Sequence, residues 1–287
     1  MAISSKAQKV ITELIDFVVK DYVSRASQNP KKDSGNPFTM ALLEDFEPIT
    51  HRLHGLRTSL GNQMEKIAEV IAKDAWGAEN IKRKTNRDIQ LPRNVFQTID
   101  SILNRLSNSL TKSSYTSELK EIYDSCKNPS NDFENHTYEF DLEINDVEND
   151  NYHFLEMKGP DPNTTEVPGA KKRLLVEFAW GILNLKSKKV DAAFAIYYNN
   201  VFPRPYNNPK VMYYFENQGL LVHDAFWNFI GKDKNTFKKL VKIFNNYGNK
   251  NKKMIWDAFS QLVKVNEEIA AKKDPEIKTI VKKVNLK

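Results

Sequence analysis

Apolar residues recur at helical spacing near the start of the chain, where Val10, Leu14, Phe17, Val18 and Tyr22 line one stripe. A Pro/Gly/Asn segment, Asn29 to Pro37, interrupts that pattern. A second long helix is written in Met64, Ile67, Ala68, Ile71 and Ala72, closing near Gly77. The stretch from Gly77 to Pro92 is polar and basic and predicts an exposed loop. Helices are expected over Val95 to Leu110 and Glu118 to Cys126. The period then shortens to two: Tyr138, Phe140, Leu142 and Ile144 alternate with Glu139, Asp141 and Glu143, the pattern of a half-buried strand. Asp146 to Asn151 reads as a turn, and YHFLEMK resumes the extended pattern up to Gly159-Pro160. An amphipathic helix follows from about Ala170 to Leu185, and Val190 to Tyr198 is a nearly continuous apolar run, as in a strand covered on both faces. The remainder is helical and Lys-rich, with a polar tail expected to fray.

The order helix, hairpin, helix, strand predicts an α/β (α+β) core, a mixed sheet flanked by helices. Residues 1–130 are expected as a helical region packed on a catalytic core formed by 131–287, the two making one compact unit. Sixteen Phe, eleven Tyr and four Trp are enough bulky apolar surface for a substantial core. Cys126 is the only cysteine, so no intramolecular disulfide can form and a reducing compartment is expected. The N-terminal stretch is broken by Glu13 and Asp16, unlike a signal peptide, and no apolar run approaches the ~20 residues of a membrane span. A cytoplasmic protein is expected. The formal charge of +6 is compatible with a polyanionic partner without demanding one.

The hairpin carries the chemistry. With Glu148 and Asn149 at its tip, antiparallel pairing sets Asp141 opposite Glu156 and Glu139 opposite Lys158. Directly opposed residues share a face with β-carbons ~5 Å apart, and Lys158, two residues after Glu156, points the same way. Two carboxylates so close repel, and a hard divalent cation relieves the repulsion through oxygen ligands. Such a site can hydrolyse phosphodiesters, with Lys158 orienting water and offsetting phosphate charge. The spacing alone leaves a second reading open, a solvated hairpin face whose acids and lysine form surface ion pairs worth under ~1 kcal/mol each. Glu118-Leu119-Lys120 and Glu276-Ile277-Lys278 repeat the acid-x-Lys pattern, but in helical or tail settings with no acid on a neighbouring strand.

Three basic clusters are candidate phosphate contacts: Lys82, Arg83, Lys84 and Arg87 in the expected loop, Lys171, Lys172 and Arg173 opening the helix after the hairpin, and Asn249 to Lys253. Arg204 and Asn207, with Tyr206 and Asn208, could read base edges, Arg pairing with guanine and Asn with adenine. The competing reading of each is a solvated face or a Pro-stiffened loop. His51 and His54 stand three apart on an expected helix, but neither Cys nor acid completes a zinc set there. Gly181 and Gly219 read as isolated punctuation.

The acid, acid-x-Lys hairpin followed by a helix and a buried strand resembles the active site of the PD-(D/E)xK nucleases. NPFTMALL (Asn36 to Leu43), TSLGNQMEKIAEVIA (Thr58 to Ala72), YEFDLEI, FLEMKGPDPN and DAFWNFIGKD (Asp224 to Asp233) resemble type II restriction endonucleases of the TdeIII-like family. The sequence departs from the superfamily pattern in having no Pro before Asp141, and Glu139 and Glu143 compete with Asp141 as first acid. The resemblance implies Mg²⁺ held by Asp141, Glu156 and Met157, catalysis by these acids with Lys158, and a further acid, Glu65, offered by an N-terminal helix. An exposed helical Glu beside Lys66 explains Glu65 equally well. It implies double-stranded DNA as substrate, GGNCC as target, a homodimer, and a companion methyltransferase protecting host DNA. A repair or structure-specific nuclease with the same site, and a DNA-binding protein with a degenerate site, are the rival readings.

Overall fold

A computed structural model describes residues 3–28, 47–185 and 188–257, with side chains of 25–28 and 47–58 left aside. NPFTMALL, the two histidine side chains of the 51–54 pair and the C-terminal tail therefore lie outside the described residues. The elements in chain order are α1 (Ser5–Gln28), α2 (Glu47–Trp76), β1 (Ile81–Pro92), α3 (Arg93–Ser107), α4 (Tyr115–Lys127), β2 (Phe133–Asp146), β3 (Asn151–Lys158), α5 (Glu166–Asn184), β4 (Lys189–Ile196), α6 (Pro209–Tyr214), β5 (Leu220–Val222), α7 (Asp224–Ile230) and α8 (Thr236–Lys250). The chain divides into two compact units, one of residues 1–8 and 64–240, the other of 9–63 and 241–287. In the second, the buried stripe of α1 runs through Ile11, Ile15, Val18 and Tyr22, while Phe17 falls off it and is exposed. Tyr247 donates a hydrogen bond to Asp16 there (2.9 Å).

The first unit holds a five-stranded sheet in the order β1-β2-β3-β4-β5. The β1-β2 and β2-β3 pairs are antiparallel, and β3-β4 and β4-β5 are parallel. The expected mixed α/β architecture is therefore present. One expectation fails: Ile81–Pro92 is not a loop but an edge strand paired with β2 along its length. Half of its surface faces solvent, so only Ile81, Ile89 and Leu91 needed to be apolar, and its Lys, Arg and Asn positions disguised the strand period. The stretch 1–130 is accordingly not helical throughout, and its strand belongs to the same sheet as the hairpin.

One face of the sheet packs beneath α3 and α5, with α4 laid against both helices. Val95, Phe96, Ile99, Ile102 and Leu106 give α3 a continuous buried stripe, and Val167, Ala170, Leu174, Leu175 and Phe178 do the same for α5. Gly181 lets α5 settle close to the strands, since a Cβ there would lie 2.8 Å from Val190 Cγ1 and 3.0 Å from Phe154 Cε2. Gly181 is thus a packing position, which corrects its reading as punctuation. On the other face, Trp76 of α2 and Phe229 of α7 both meet the ring of His153. Among the described residues, no helix is long and apolar enough to cross a membrane.

Candidate active site

The hairpin keeps the register read from sequence. Leu142 pairs with Leu155, Glu143 with Phe154 and Ile144 with His153. The ladder ends at Leu142, one residue short of Asp141. Phe154 lies on the α5 face, so its partner Glu143 does too, and Tyr152 from the same face donates to Glu143 (2.8 Å). Strict alternation would then put Phe140 on the opposite face. Instead the Phe140 ring meets Phe154 and Trp180 edge-on, at 5.5 and 6.2 Å between centroids. The alternation of β2 is therefore broken between Phe140 and Glu143. On β1 the corresponding position is Lys84, which has φ 49° and lies between the paired Arg83–Leu142 and Thr85–Phe140. A left-handed residue opposite the break lets both strands turn without an inserted residue.

This kink separates the three competing acids. Glu139 is exposed, pairs across to Asn86 on β1 and, among the described residues, forms no ion pair with Lys158. Glu143 is fully buried, bound by Arg87 (2.5 Å) and Tyr152, with the Arg87 guanidinium stacked 4.3 Å from the Trp180 ring. Asp141 alone of the three turns to the end of β3. Its Oδ2 accepts from the Met157 amide (2.9 Å) and lies 3.5 Å from Lys158 Nζ, which is also 2.8 Å from Glu156 Oε1. The two carboxylates and the ammonium of the expected triad are thus gathered at one point.

Electrostatics there follow from burial. Asp141 is 7% exposed, and burial first, then the neighbouring Glu156, push its carboxyl up to about 6 against the pull of Lys158. Burial alone would lower Lys158, but Glu156 and Asp141 outweigh it and hold the ammonium above its ordinary value. Glu156 has no solvent exposure. Arg173 clamps both its oxygens, Nε donating to Oε2 (3.0 Å) and Nη2 to Oε1. That hydrogen-bonded partner, ahead of the opposing burial, raises the guanidinium further. Two carboxylates and two cationic side chains therefore face one another in the site.

Glu65 of α2 stands near the same point. It pairs with Lys84 (2.9 Å) and more loosely with Arg83 (3.6 Å), and its charge adds to the upward push on Asp141. Met157 has a fully buried side chain, so only its main-chain carbonyl could serve a cation. Among the described residues, no three His, Cys, Asp or Glu side chains are grouped closely enough to cage a metal. The donor set still fits a hard divalent cation: two buried carboxylates, one with proton affinity raised by the other, are what Mg²⁺ relieves.

The basic clusters disperse. Lys171 is 3% exposed and pairs with buried Glu118 under the Phe215 ring, which removes it from the candidate DNA contacts. Its position on the inner stripe of α5 is the reason. Lys172 is half-exposed and paired with Asp100 (2.8 Å), and Arg173 is the clamp on Glu156. Arg83 binds Glu69 (2.6 Å), while Lys82 is exposed. Arg204 and Asn207 are exposed in the loop after β4. That loop is tied back to the chain just beyond Lys158, because Tyr206 and Asn208 both donate to the Pro160 carbonyl.

Glu177 was not anticipated. It sits on α5 one turn beyond Arg173, 1% exposed, with neither carboxylate oxygen hydrogen-bonded. Burial, then Glu156, Asp141 and Glu143, raise its proton affinity well above the ordinary carboxylate range. A lone acid inside LLVEFAWGIL was the available signal.

A five-stranded mixed sheet flanked by helices, with two acids and a lysine gathered at the end of its hairpin, is consistent with the fold of a type II restriction endonuclease, a site-specific deoxyribonuclease. The chain matches the family described as "Type II restriction endonuclease, HinfI" over residues 3–248 and belongs to that family. It is also 24% identical, over 294 residues, to the "Type II restriction enzyme MjaII" of Methanocaldococcus jannaschii, covering 93% of this chain and 77% of the relative. No solved structure matches it. The expected restriction endonuclease is thereby established, with HinfI's as the family that spans the chain, and duplex DNA is its substrate.

Proposed function

We propose that this chain hydrolyses both strands of duplex DNA with Mg²⁺ bound by Asp141, Glu156 and the Met157 carbonyl. The observation that carries this reading is the convergence of the Asp141 and Glu156 carboxylates on one lysine, Lys158 (3.5 and 2.8 Å). Bound there, the metal supplies Lewis-acid polarisation of the phosphoryl oxygen and a more acidic water. Lys158 orients the attacking water and offsets charge growing on the phosphate. Asp141, fixed by the Met157 amide, keeps one oxygen in a constant place. Glu65 stands as a supporting acid from α2, reached through its pairing with Lys84.

Lys82, Arg83, Lys84, Lys172 and Arg173 are proposed contacts to the DNA backbone, and Arg204 and Asn207 to base edges. The exposure of Arg204 and Asn207, on a loop tied to Pro160 beside the site, supports that division. GGNCC is the proposed target. The chain works in the cytoplasm as a homodimer, since one hairpin offers one site and symmetric cutting of a palindrome needs two. A methyltransferase of the same specificity protects the host.

Digestion of a sequenced plasmid with Mg²⁺ and with EDTA tests this. A fixed fragment pattern ending at GGNCC, lost with EDTA, is expected. Fragments without a fixed pattern, or cleavage unaffected by EDTA, would overturn it.

A further inference from the structure

Arg173 grips both oxygens of Glu156 and Lys158 binds one of them, which occupies three of the roughly four acceptor positions of a carboxylate, so a cation entering there competes with the guanidinium. Any divalent ion entering beside Asp141 also repels the guanidinium. Arg173 must then find another acceptor, and its helix offers one. Glu177 is four residues on, the spacing at which side chains of one helix meet. Both of its oxygens are buried and unpartnered, and among the charges acting on it are Glu156, Asp141 and Arg173 itself. A buried carboxyl left without hydrogen bonds costs stability, so a donor that reaches it is welcome.

Resting on the metal-site reading above, we infer that Glu177 is the positioning residue that receives Arg173 when a divalent cation takes Glu156. Handing the guanidinium to Glu177 leaves Glu156 free to ligate. Glu177 then gains hydrogen bonds for its two unpartnered oxygens. A direct ligand role for Glu177 is disfavoured by the absence of a three-acid group among the described residues.

The test is a double-mutant cycle on Mn²⁺ binding without DNA, read from the electron paramagnetic resonance signal of the free ion. Glu177→Leu is expected to weaken Mn²⁺ binding about tenfold in the otherwise unchanged chain. In an Arg173→Met background, where no guanidinium needs rehousing, the same substitution should change affinity less than about twofold. Glu177→Gln, of the same shape, and Arg173→Gln repeat the cycle should either first choice fail to fold. Equal loss in both backgrounds, or no loss in either, overturns the inference while Mn²⁺ binding that depends on Glu156 leaves the metal site standing. If the unchanged chain binds no Mn²⁺, both readings fall.

Discussion

Gly181 of α5 lies so near Val190 of β4 that a methyl group added to it would sit 2.8 Å from the valine's Cγ1. The neighbouring clash is with the Phe154 ring, so neither side of the contact is a flexible tip. That closeness fixes α5 over β3, and α5 carries Arg173 and Glu177. Gly181→Ala should therefore push the helix outward, costing about 1–3 kcal/mol as overpacking does. A lowered melting temperature together with reduced Mg²⁺-dependent cleavage per folded molecule is expected. Unchanged values of both would mean that α5 has room to spare.

Loss of the groups proposed to serve the metal and water should act on chemistry first. Glu156→Gln and Lys158→Ala are each expected to lower the cleavage rate by about 10³-fold or more, while circular dichroism stays near that of the unmodified chain. Glu143→Gln provides the contrast. Its carboxylate serves Arg87 and Tyr152 rather than Lys158, so stability should fall more than cleavage per folded molecule.

The Asp141 carboxyl, pushed up to about 6, links folding to pH. An acid whose folded value is raised binds its proton more tightly in the native state. Its contribution is present at low pH and lost as pH climbs from about 4 through 6. Without metal, that loss is on the order of 3 kcal/mol for the roughly two-unit shift. Melting temperatures in EDTA across pH 4 to 7 should show this decline, and Asp141→Asn should flatten it. Added Mg²⁺ should restore stability most at the upper end, where the carboxylate is ionised.

Lys171 distinguishes a core ion pair from a phosphate contact. Lys171→Ala leaves Glu118 buried and uncompensated, a loss of about 3–5 kcal/mol. Thermal unfolding should register that loss, while DNA affinity of the folded fraction stays within about twofold. Replacement of both partners, Lys171→Met with Glu118→Leu, should recover most of the stability.

Arg204→Ala should weaken discrimination between the target and single-base variants by about 1–3 kcal/mol, measured as the ratio of cleavage rates. Tyr206→Phe removes a tether to Pro160 rather than a base contact. It should lower target and variant cleavage alike.

The hairpin register was legible because an apolar alternation and a polar turn specified it together, and the buried β4 run and amphipathic α3 and α5 followed equally simple periods. β1 was hidden because an edge strand needs only one apolar face, and its basic residues resembled a loop. The fate of Lys171 depended on Glu118, more than fifty positions away and on another helix. Separation of Glu139, Asp141 and Glu143 depended on a backbone angle at Lys84, which no side-chain pattern announces. Arg173 was noticed for its charge, yet its partner is a carboxylate of the site itself.

The kink shared by Lys84 and Asp141 lets two adjacent strands furnish separate rooms, one beneath α5 for Glu143 and one at the end of β3 for Asp141. Those rooms are assigned by counting residues. Deleting one position between Asp141 and Glu143 would, with the chain beyond Glu143 held in place, carry the Phe140 ring to where the Asp141 carboxylate stands. Length in this short stretch is consequently a harder constraint than identity at most of its neighbours.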